Sequence, residues 1–306
     1  MRLSWIVAGS MLVSGAFAMP ARALSSSENC SAKAAILVIA LKNSFHWQLY
    51  AQEKGEPEPT EAEFLKSCEE LPSSSTQIAE ALEQTLTSTN VSKREIASLT
   101  ALPKKVRDAF VVAEDPEFYQ RQRADFSECV GRLILFSNIA LARVMTRGSI
   151  DASDSTKLCY SRFSKALARN LMLTQLGRQS TVKRELKETL WQERLEALLD
   201  KDTLLGTFLN HAYLGRGAFG VVEAARRHFD KKPSELAVEE AAYLAALVKA
   251  PTYYSDPKNS QKAQERRNWV LSEMAARGFI PNGEAEAAAA RPLTVVERHG
   301  FPRSSR

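Results

Sequence analysis

LNHAYLGRGAFGV, the stretch from Leu209 to Val221, decides the fold of this chain. It has the form L-N-x-x-Y-x-G-x-x-x-x-G-V, which unrelated helix ends rarely share. Three glycines, Gly215, Gly217 and Gly220, follow the helical residues, because glycine takes up the positive φ angles of tight turns at little cost. The stretch therefore predicts a helix that ends in a glycine-rich turn of defined shape.

The composition indicates a mainly α-helical globular protein. The chain has 306 residues, of which 44% are hydrophobic and 25% charged, so it can bury a sizeable core. Ala, Leu, Glu, Lys and Arg dominate between residues 160 and 290, and β-branched runs are short. The net charge of +5 suits an anionic partner such as phosphate or a membrane surface. Lys and Arg do not alternate with aromatic residues, which argues against nucleic acid as a partner.

The N-terminus has the pattern of a secretory signal peptide. Arg2 precedes an apolar run from Trp5 to Phe17, and two small-x-small sequences, at 16–18 and 21–23, offer alternative cleavage sites. The run is shorter than the ~20 apolar residues of a comfortable membrane span. We therefore expect residues 1–23 to direct export of the protein.

Four cysteines follow, and an even number of cysteines in an exported protein favours disulfides. Four cysteines permit three connectivities. Our prediction is sequential pairing, and the alternative is that some of them are buried thiols. The predicted pairs are Cys30–Cys68 and Cys129–Cys159. Neither the cysteine spacing nor the four histidines match a zinc site.

The central part of the chain reads as successive helices after a variable N-terminal segment, residues 24–94. Pro103 begins a helix that leads into Glu114, and Asp200 is placed to cap the helix that follows it. The apolar helix from Val130 to Met145 carries arginines, so it is either core or a helix lying in a bilayer interface. The remaining predicted helices are Thr181–Leu199, Lys201–Asn210 and Val238–Val248, with a short helix and a tail over 281–306.

Two carboxylates, those of Glu114 and Glu188, are candidate functional groups, and each also has an ordinary structural interpretation. Acidic pairs such as Glu114-Asp115 usually face solvent, but this one follows five mainly apolar residues. A carboxylate at the end of an apolar helix is partly desolvated, which raises its pKa and suits it to act as a base. Glu188 lies in a highly charged helix, where an exposed, salt-bridged face is the ordinary interpretation.

From residue 95 to 280 the sequence resembles the peptidoglycan glycosyltransferases of glycosyltransferase family 51, which include the transglycosylase domains of penicillin-binding proteins and the monofunctional transglycosylases. The resemblance rests on several motifs in family order. They are Glu114-Asp115-x-x-Phe118, Ala168-Arg169-Asn170-Leu171, Arg184-x-x-x-Glu188, Leu209-Asn210-x-x-Tyr213-x-Gly215, and Ala241-Ala242-x-Leu244-Ala245 with Ala250-Pro251.

The resemblance implies a lysozyme-like, mainly α fold with two lobes and a cleft between them. It implies that Glu114 deprotonates the acceptor sugar hydroxyl, and that Glu188 holds the pyrophosphate region directly or through a divalent cation, Mg²⁺ or Mn²⁺. No organic cofactor is implied. The substrate-binding residues carried over or inferred beside it are Asp115, Phe118, Ser161, Arg162, Lys165, Arg169, Asn170, Arg184, Asn210, Tyr213 and Gly215.

The same resemblance implies partners and a location. The partners are lipid II, nascent glycan, the membrane surface and proteins of cell-wall synthesis. The location is the periplasm or the outer face of the cytoplasmic membrane, and the apolar helix at 130–145 would then belong to a membrane-facing lobe.

The sequence departs from the family in two places. Arg121 and Arg123 replace the His and Gly of the first motif, and CYSRFSKA at 159–166 replaces GGSTITQQ in the second. Arg162, Lys165 and Arg169 are spaced to share one helix face. That face either grips pyrophosphate in place of the lost hydroxyls and amides or is a solvated basic surface.

Three functions are compatible with these features. The first is polymerisation of glycan from lipid II. The second is a non-catalytic module that binds the precursor or glycan and regulates cell-wall synthesis, which the altered second motif allows. The third is a lysozyme-like hydrolase, against which the survival of Glu188 and of the 210–213 segment argues.

Overall fold

The fold is mainly α-helical, as predicted. The computed structural model describes residues 26–44, 47–48, 51–52, 55, 57, 60–87, 95–123, 125–131, 134, 159–176 and 182–296. Within these ranges no β-strand occurs, and an isolated antiparallel bridge joins Tyr213 to Phe219. The predicted signal peptide and nearly all of the predicted helix from Val130 to Met145 lie outside the described residues.

The described ranges contain the following α-helices. The first six are α1 (Ser26–Lys42), α2 (Glu61–Glu69), α3 (Ser75–Thr87), α4 (Lys104–Glu114), α5 (Arg162–Leu176) and α6 (Val182–Leu198). The next six are α7 (Lys201–His211), α8 (Val221–Phe229), α9 (Val238–Leu247), α10 (Pro251–Tyr254), α11 (Ser260–Ala276) and α12 (Asn282–Ala290). None of the helices in these ranges is long and apolar enough to cross a membrane.

The chain divides into two compact units, as a two-lobed fold predicts. One unit takes the described residues of 1–73, 122–160 and 172–194. We call it the cystine unit, since it holds the disulfide described below. The other takes the described residues of 74–121, 161–171 and 195–306, and we call it the Glu114 unit. The predicted N-terminal segment, residues 24–94, therefore contributes to both units.

Ion pairs in the cystine unit fix the N-terminal helices to α6. Lys33 of α1 and Glu193 of α6 are both buried, and their Nζ and Oε2 atoms lie 2.7 Å apart. Glu193 also accepts a hydrogen bond from Arg123. Lys187 of α6 pairs with Glu63 of α2 at 3.2 Å. Burial of the first pair makes its geometry exacting, because an unpaired charge there would be costly.

The cysteine predictions are half confirmed. Cys30 and Cys68 form a disulfide that ties α1 to α2, as predicted. The predicted Cys129–Cys159 bond is wrong, because neither residue forms a disulfide. A hydrogen bond with Cys159, together with burial, raises the pKa of the Cys129 thiol. Disulfide exchange needs a thiolate, so a thiol held protonated in this way is a poor nucleophile.

The core of the Glu114 unit forms around α9, whose alanines permit close helix packing. Every residue of α9 except Glu240 is buried, and this helix packs against α4 and α11. Ala241, Ala242, Ala245 and Ala246 are at most 1% exposed. Small side chains on successive turns let the neighbouring backbones approach.

The glycine-rich turn between α7 and α8 has the shape predicted from the opening stretch. Gly215, Gly217 and Gly220 have φ angles of 77°, 70° and 81°, in the region that glycine favours. A Cβ atom on Gly215 would lie 2.5 Å from Ser255 Oγ, and one on Gly220 would lie 2.6 Å from the carbonyl oxygen of Asn210. Glycine is therefore required at both positions by space as well as by backbone angle.

Replacing both Cys30 and Cys68 with alanine is expected to lower the free energy of unfolding by about 3 kcal/mol, because the bond closes a 38-residue separation in the unfolded chain. Chemical denaturation of the native chain and the variant measures this loss. The matched control is the Cys129→Ala/Cys159→Ala variant, which removes two thiols and no bond and should lose less. Titration of the denatured, unreduced native chain should find two thiols, and a count of none or four contradicts the structure.

Candidate active site

Glu114 is the last residue of α4, and the helix delivers it to the end of an apolar surface. Ala109, Phe110, Val112 and Ala113, in the turns before it, are buried in the Glu114 unit. The helix ends there because Asp115 leaves the helical region, with φ −148° and ψ 79°. An apolar helix thus places a carboxylate at its carboxyl end, where the helix dipole also disfavours negative charge.

The Glu114 carboxylate has no hydrogen bond or salt bridge with any of the residues that the structure describes. Burial raises its pKa from 4.5 to about 7, because desolvation penalises the charged form. Arg162 and Arg266 oppose that shift, Asp115 adds to it, and Lys249 opposes it more weakly. A carboxylate with this pKa is near half ionisation at neutral pH, which suits it to accept a proton.

The three cations near Glu114 come from three elements of the same unit. Arg162 begins α5, Lys249 follows α9 and Arg266 lies in α11. None of the three has a salt-bridge partner among the described residues, and Arg162 and Lys249 are exposed. Three cations without salt-bridge partners among the described residues, around a carboxyl that is about half ionised at neutral pH, form a positively charged site, which fits an anionic ligand.

Asp115, unlike Glu114, is both fully buried and hydrogen-bonded to described residues. It is 2% exposed, and its carboxylate accepts a hydrogen bond from Arg121 Nη2 at 2.5 Å. Its second oxygen accepts from the backbone N–H of Arg162 at 3.2 Å, which is one of the free donors at the start of α5. Asp115 therefore joins the first and second motifs structurally, and Arg121, which replaces the family's histidine, supplies its counter-charge.

Ser161 also serves the start of α5. It is fully buried, and its Oγ accepts a hydrogen bond from the Ser164 N–H at 3.0 Å, as an N-cap does. The carboxylate of Glu196 accepts from the Ser161 N–H at 2.6 Å and from the Ser164 hydroxyl at 2.8 Å. Ser161 and Ser164 of the altered second motif thus hold the start of the helix that carries Arg162.

Other predicted substrate-binding positions hold the scaffold together. Asn210 is buried, and its amide exchanges hydrogen bonds with Ala97 at 3.1 and 2.9 Å. The Tyr213 ring packs on Phe219 at 4.9 Å, beside the turn that requires Gly215. The Phe118 ring is fully buried, with the Phe163 ring at 4.9 Å. These contacts fix the frame in which Glu114 and its cations are held.

The basic face predicted on α5 forms on a helix, but its members differ in position. Arg162 and Arg169 are exposed, while Lys165 and Asn170 are half-buried. Arg162 is the member whose charge acts on Glu114. Pyrophosphate binding by Lys165 and Arg169 stays a prediction.

Glu188 lies in the cystine unit, so its convergence with Glu114 on one cleft stays a prediction. The carboxylate is 3% exposed and accepts a hydrogen bond from Arg184 Nε at 3.1 Å. The ordinary interpretation was a salt-bridged, exposed helix face, and the structure shows the salt bridge but not the exposure. The described residues contain no group of three or more Asp, Glu, His or Cys side chains that fits a metal ion.

Sequence reasoning missed Arg266, Lys249 and the pairing of Arg121 with Asp115. Arg266 lies in α11 and Lys249 in the turn after α9, both more than a hundred residues beyond Glu114, so local spacing gives no sign of their proximity. Ala250-Pro251 matched a family motif, but the adjacent Lys249 was not identified as a site residue. Arg121 was identified only as a departure from the first family motif. Asp115, six residues before it, was the feature of the sequence that could have indicated their ion pair.

A mostly buried carboxylate without a partner among the described residues lies near three cations of the same unit, and these are features of a candidate general-base site. The family model described as Transglycosylase matches residues 80–275. The chain therefore belongs to the transglycosylase family. Membership agrees with the fold class inferred from the motifs.

Individual relatives have longer chains. Penicillin-binding protein 1A of Aquifex aeolicus is 35% identical over 211 residues, which cover 69% of this chain and 27% of that protein. Penicillin-binding protein 1F of Bacillus subtilis is 34% identical over 200 residues, or 65% of this chain and 26% of that protein. The matched part of this chain thus spans about a quarter of the length of these relatives.

Two further proteins are similar to this chain. A protein of Cupriavidus necator is named as a candidate transglycosylase. It is 33% identical to this chain over 194 residues, which cover 63% of this chain and 76% of that protein. The crystal structure of penicillin-binding protein 1A from Haemophilus influenzae matches 67% of this chain and 18% of its own, with a TM-score of 0.36 and 20% identity.

Glu114→Gln should stabilise the protein in a pH-dependent way. The raised pKa means that the folded state binds the proton more tightly, so the native chain loses stability as pH rises from about 4.5 to about 7. A neutral amide escapes this loss. The free energy of unfolding of the variant, relative to the native chain, should therefore be higher at pH 8 than at pH 4.5, by ~3 kcal/mol at most.

Urea denaturation at a series of pH values measures this difference. Glu117→Gln is the matched control, because Glu117 is exposed three residues further on and its replacement should have the same effect at every pH. A constant difference for Glu114→Gln as well would show that burial does not perturb that carboxyl.

Proposed function

We propose that this protein is a peptidoglycan glycosyltransferase that polymerises glycan from lipid II, with Glu114 as its general base. Membership of the transglycosylase family supports the reaction class. The single observation that carries the proposal is the Glu114 carboxyl, mostly buried, without a partner among the described residues and with a pKa of about 7. A folded protein keeps such a group at a cost, and functional sites are where that cost is usually found.

In the proposed step Glu114 takes the proton of the acceptor sugar hydroxyl. The oxygen then attacks the anomeric carbon of the donor and forms the new glycosidic bond. The bond from that carbon to the pyrophosphate oxygen breaks, and undecaprenyl pyrophosphate leaves with the electron pair. General-base catalysis of this kind contributes about 10²- to 10⁴-fold in rate.

The leaving group carries its charge on phosphate oxygens, so it needs cations and no general acid. Arg162, Lys249 and Arg266 are the cations that act on Glu114 in the same unit, and we assign them to the pyrophosphate. Charge-assisted hydrogen bonds from guanidinium groups to phosphate are strong and directional. Lys165 and Arg169, on the basic face of α5, would extend this contact along the substrate.

Glu188 and Arg184 enter the proposal as a pair. Arg184 would bind pyrophosphate while Glu188 orients it, since the two are hydrogen-bonded on adjacent turns of α6. The divalent cation implied by the resemblance stays a prediction. The described residues do not form a cluster of three or more Asp, Glu, His or Cys side chains that fits one.

We further propose that the protein is exported and works at the outer face of the cytoplasmic membrane, with lipid II, nascent glycan and proteins of cell-wall synthesis as partners. The Cys30–Cys68 disulfide supports an oxidising compartment. The net charge of +5 supports attraction to an anionic membrane surface.

The decisive experiment supplies the full chain in detergent with labelled lipid II and resolves the products on a gel. The native chain should form polymer, and Glu114→Gln should reduce the rate about 10²- to 10⁴-fold. Glu117→Gln should polymerise like the native chain. Saturable lipid II binding without polymer would favour the non-catalytic binding module, and release of short fragments from finished glycan would favour a hydrolase.

Polymerisation should rise with pH through an apparent pKa of about 7, because only ionised Glu114 accepts the proton. Arg266→Gln should move this acidic limb to higher pH, since Arg266 lowers the pKa of Glu114. Initial rates measured between pH 5 and 9 give both values. Arg277→Gln, an exposed position just beyond the same helix, is the control and should leave the profile unchanged, whereas an unmoved limb in Arg266→Gln would contradict the arrangement of charges.

A further inference from the structure

An exposed tryptophan forms a flat support for one of the three cations. Arg266 and Trp269 are three residues apart on α11, so their side chains share one face of the helix. The Arg266 guanidinium carbon lies 3.8 Å from the centre of the Trp269 ring. Trp269 is 41% exposed, whereas Trp47 and Trp191 are buried. A large apolar ring left at the surface is therefore covered on one side by a guanidinium.

Arg266 has few other groups to hold it in place. Its Nε atom is buried and has no hydrogen-bond partner among the described residues. Arg162 repels it, while the Glu114 carboxylate attracts it without a hydrogen bond. Because Glu114 is largely protonated below pH 7, its attraction is weak in that range. The Arg266 guanidinium also stacks on the Trp269 ring.

The adjacent arginine shows what a structurally anchored guanidinium looks like in the same helix. Arg267 is fully buried, and its Nη2 donates to the carbonyl oxygen of Ala289 at 3.0 Å and to Asn268 Oδ1 at 2.8 Å. Hydrogen bonds to oxygen atoms hold the Arg267 guanidinium, whereas stacking on an aromatic ring holds that of Arg266. A ring contacts only the face of the guanidinium, so the N–H groups at its edge keep their capacity to donate.

We propose that Trp269 is a positioning residue that holds the Arg266 guanidinium flat, with its edge presented to a phosphate oxygen of the pyrophosphate group. This inference rests on the proposed function, in which Arg266 binds that group. The indole excludes water from one face and attracts the cation through its π electrons. It leaves the in-plane donors free for the two-pronged contact that guanidinium makes with phosphate.

The test measures binding of inorganic pyrophosphate to the full chain by calorimetry, in the presence of a chelator so that the free anion is the ligand. Trp269→Leu removes the π face and keeps an apolar side chain, and it should weaken binding roughly tenfold. Trp269→Phe keeps an aromatic face and should bind within about threefold of the native chain. Thermal melting of each variant checks that the fold is retained.

A double-mutant cycle separates positioning from a general structural effect. If Trp269 acts through Arg266, then Trp269→Leu should have no further effect on pyrophosphate binding in the Arg266→Gln background. Arg277→Gln, just beyond the same helix, should bind as the native chain does. The fluorescence of Trp269 gives an independent signal, because pyrophosphate should change the emission of the native chain and not that of Trp269→Phe.

Several outcomes would overturn the inference. They are native-like binding by Trp269→Leu, equal weakening in the Leu and Phe variants, additive losses in the double variant, and no saturable binding by the native chain. These results are distinct from failure of the proposed function. A chain that binds pyrophosphate in the expected pattern but forms no polymer from lipid II would retain the role of Trp269 and remove the catalytic proposal.

Discussion

The structure of the site depends on the different environments of two adjacent carboxylates, Glu114 and Asp115. Asp115 is saturated, with Arg121 on one oxygen and the first N–H of α5 on the other. Glu114, one residue earlier, has neither a hydrogen bond nor a salt bridge among the described residues. Because Asp115 pairs with the helix start and the local arginine, Glu114 is left in a mostly buried position, with cations nearby but no salt bridge among the described residues. That isolation is what raises its pKa into the range where it can exchange a proton.

The parts of this arrangement that the sequence predicted are the parts set by local chemistry. Asp200 caps α7 by accepting from the Thr203 N–H at 2.7 Å, and the start of α4 after Pro103 follows the same kind of rule. The turn after α7 was predictable because Gly215 and Gly220 are required both by backbone angle and by space. The apolar run before Glu114 indicated its desolvation, since a helix buries residues of one face together.

The parts that could not be predicted depend on contacts between distant segments. Nothing in the spacing of Arg266 shows that it lies near Glu114, since the two belong to helices that meet only in the folded unit. The free thiol of Cys129 has the same origin, because its hydrogen bond with Cys159 and its burial are tertiary properties. Asn210 matched a family motif, yet its amide is engaged with Ala97, a contact that no local rule anticipates.

The cations and the burial of Glu114 act against each other, and their balance explains why the altered second motif is compatible with a base at this position. Arg162 stands where the family's second motif has a threonine, and a cation near a carboxyl lowers its pKa and makes it a weaker base. Desolvation is the larger effect here, so the pKa still reaches about 7. The charge of Arg266, whose guanidinium carbon lies 3.8 Å from the centre of the Trp269 ring, therefore lowers the pKa of Glu114 without overcoming the effect of burial.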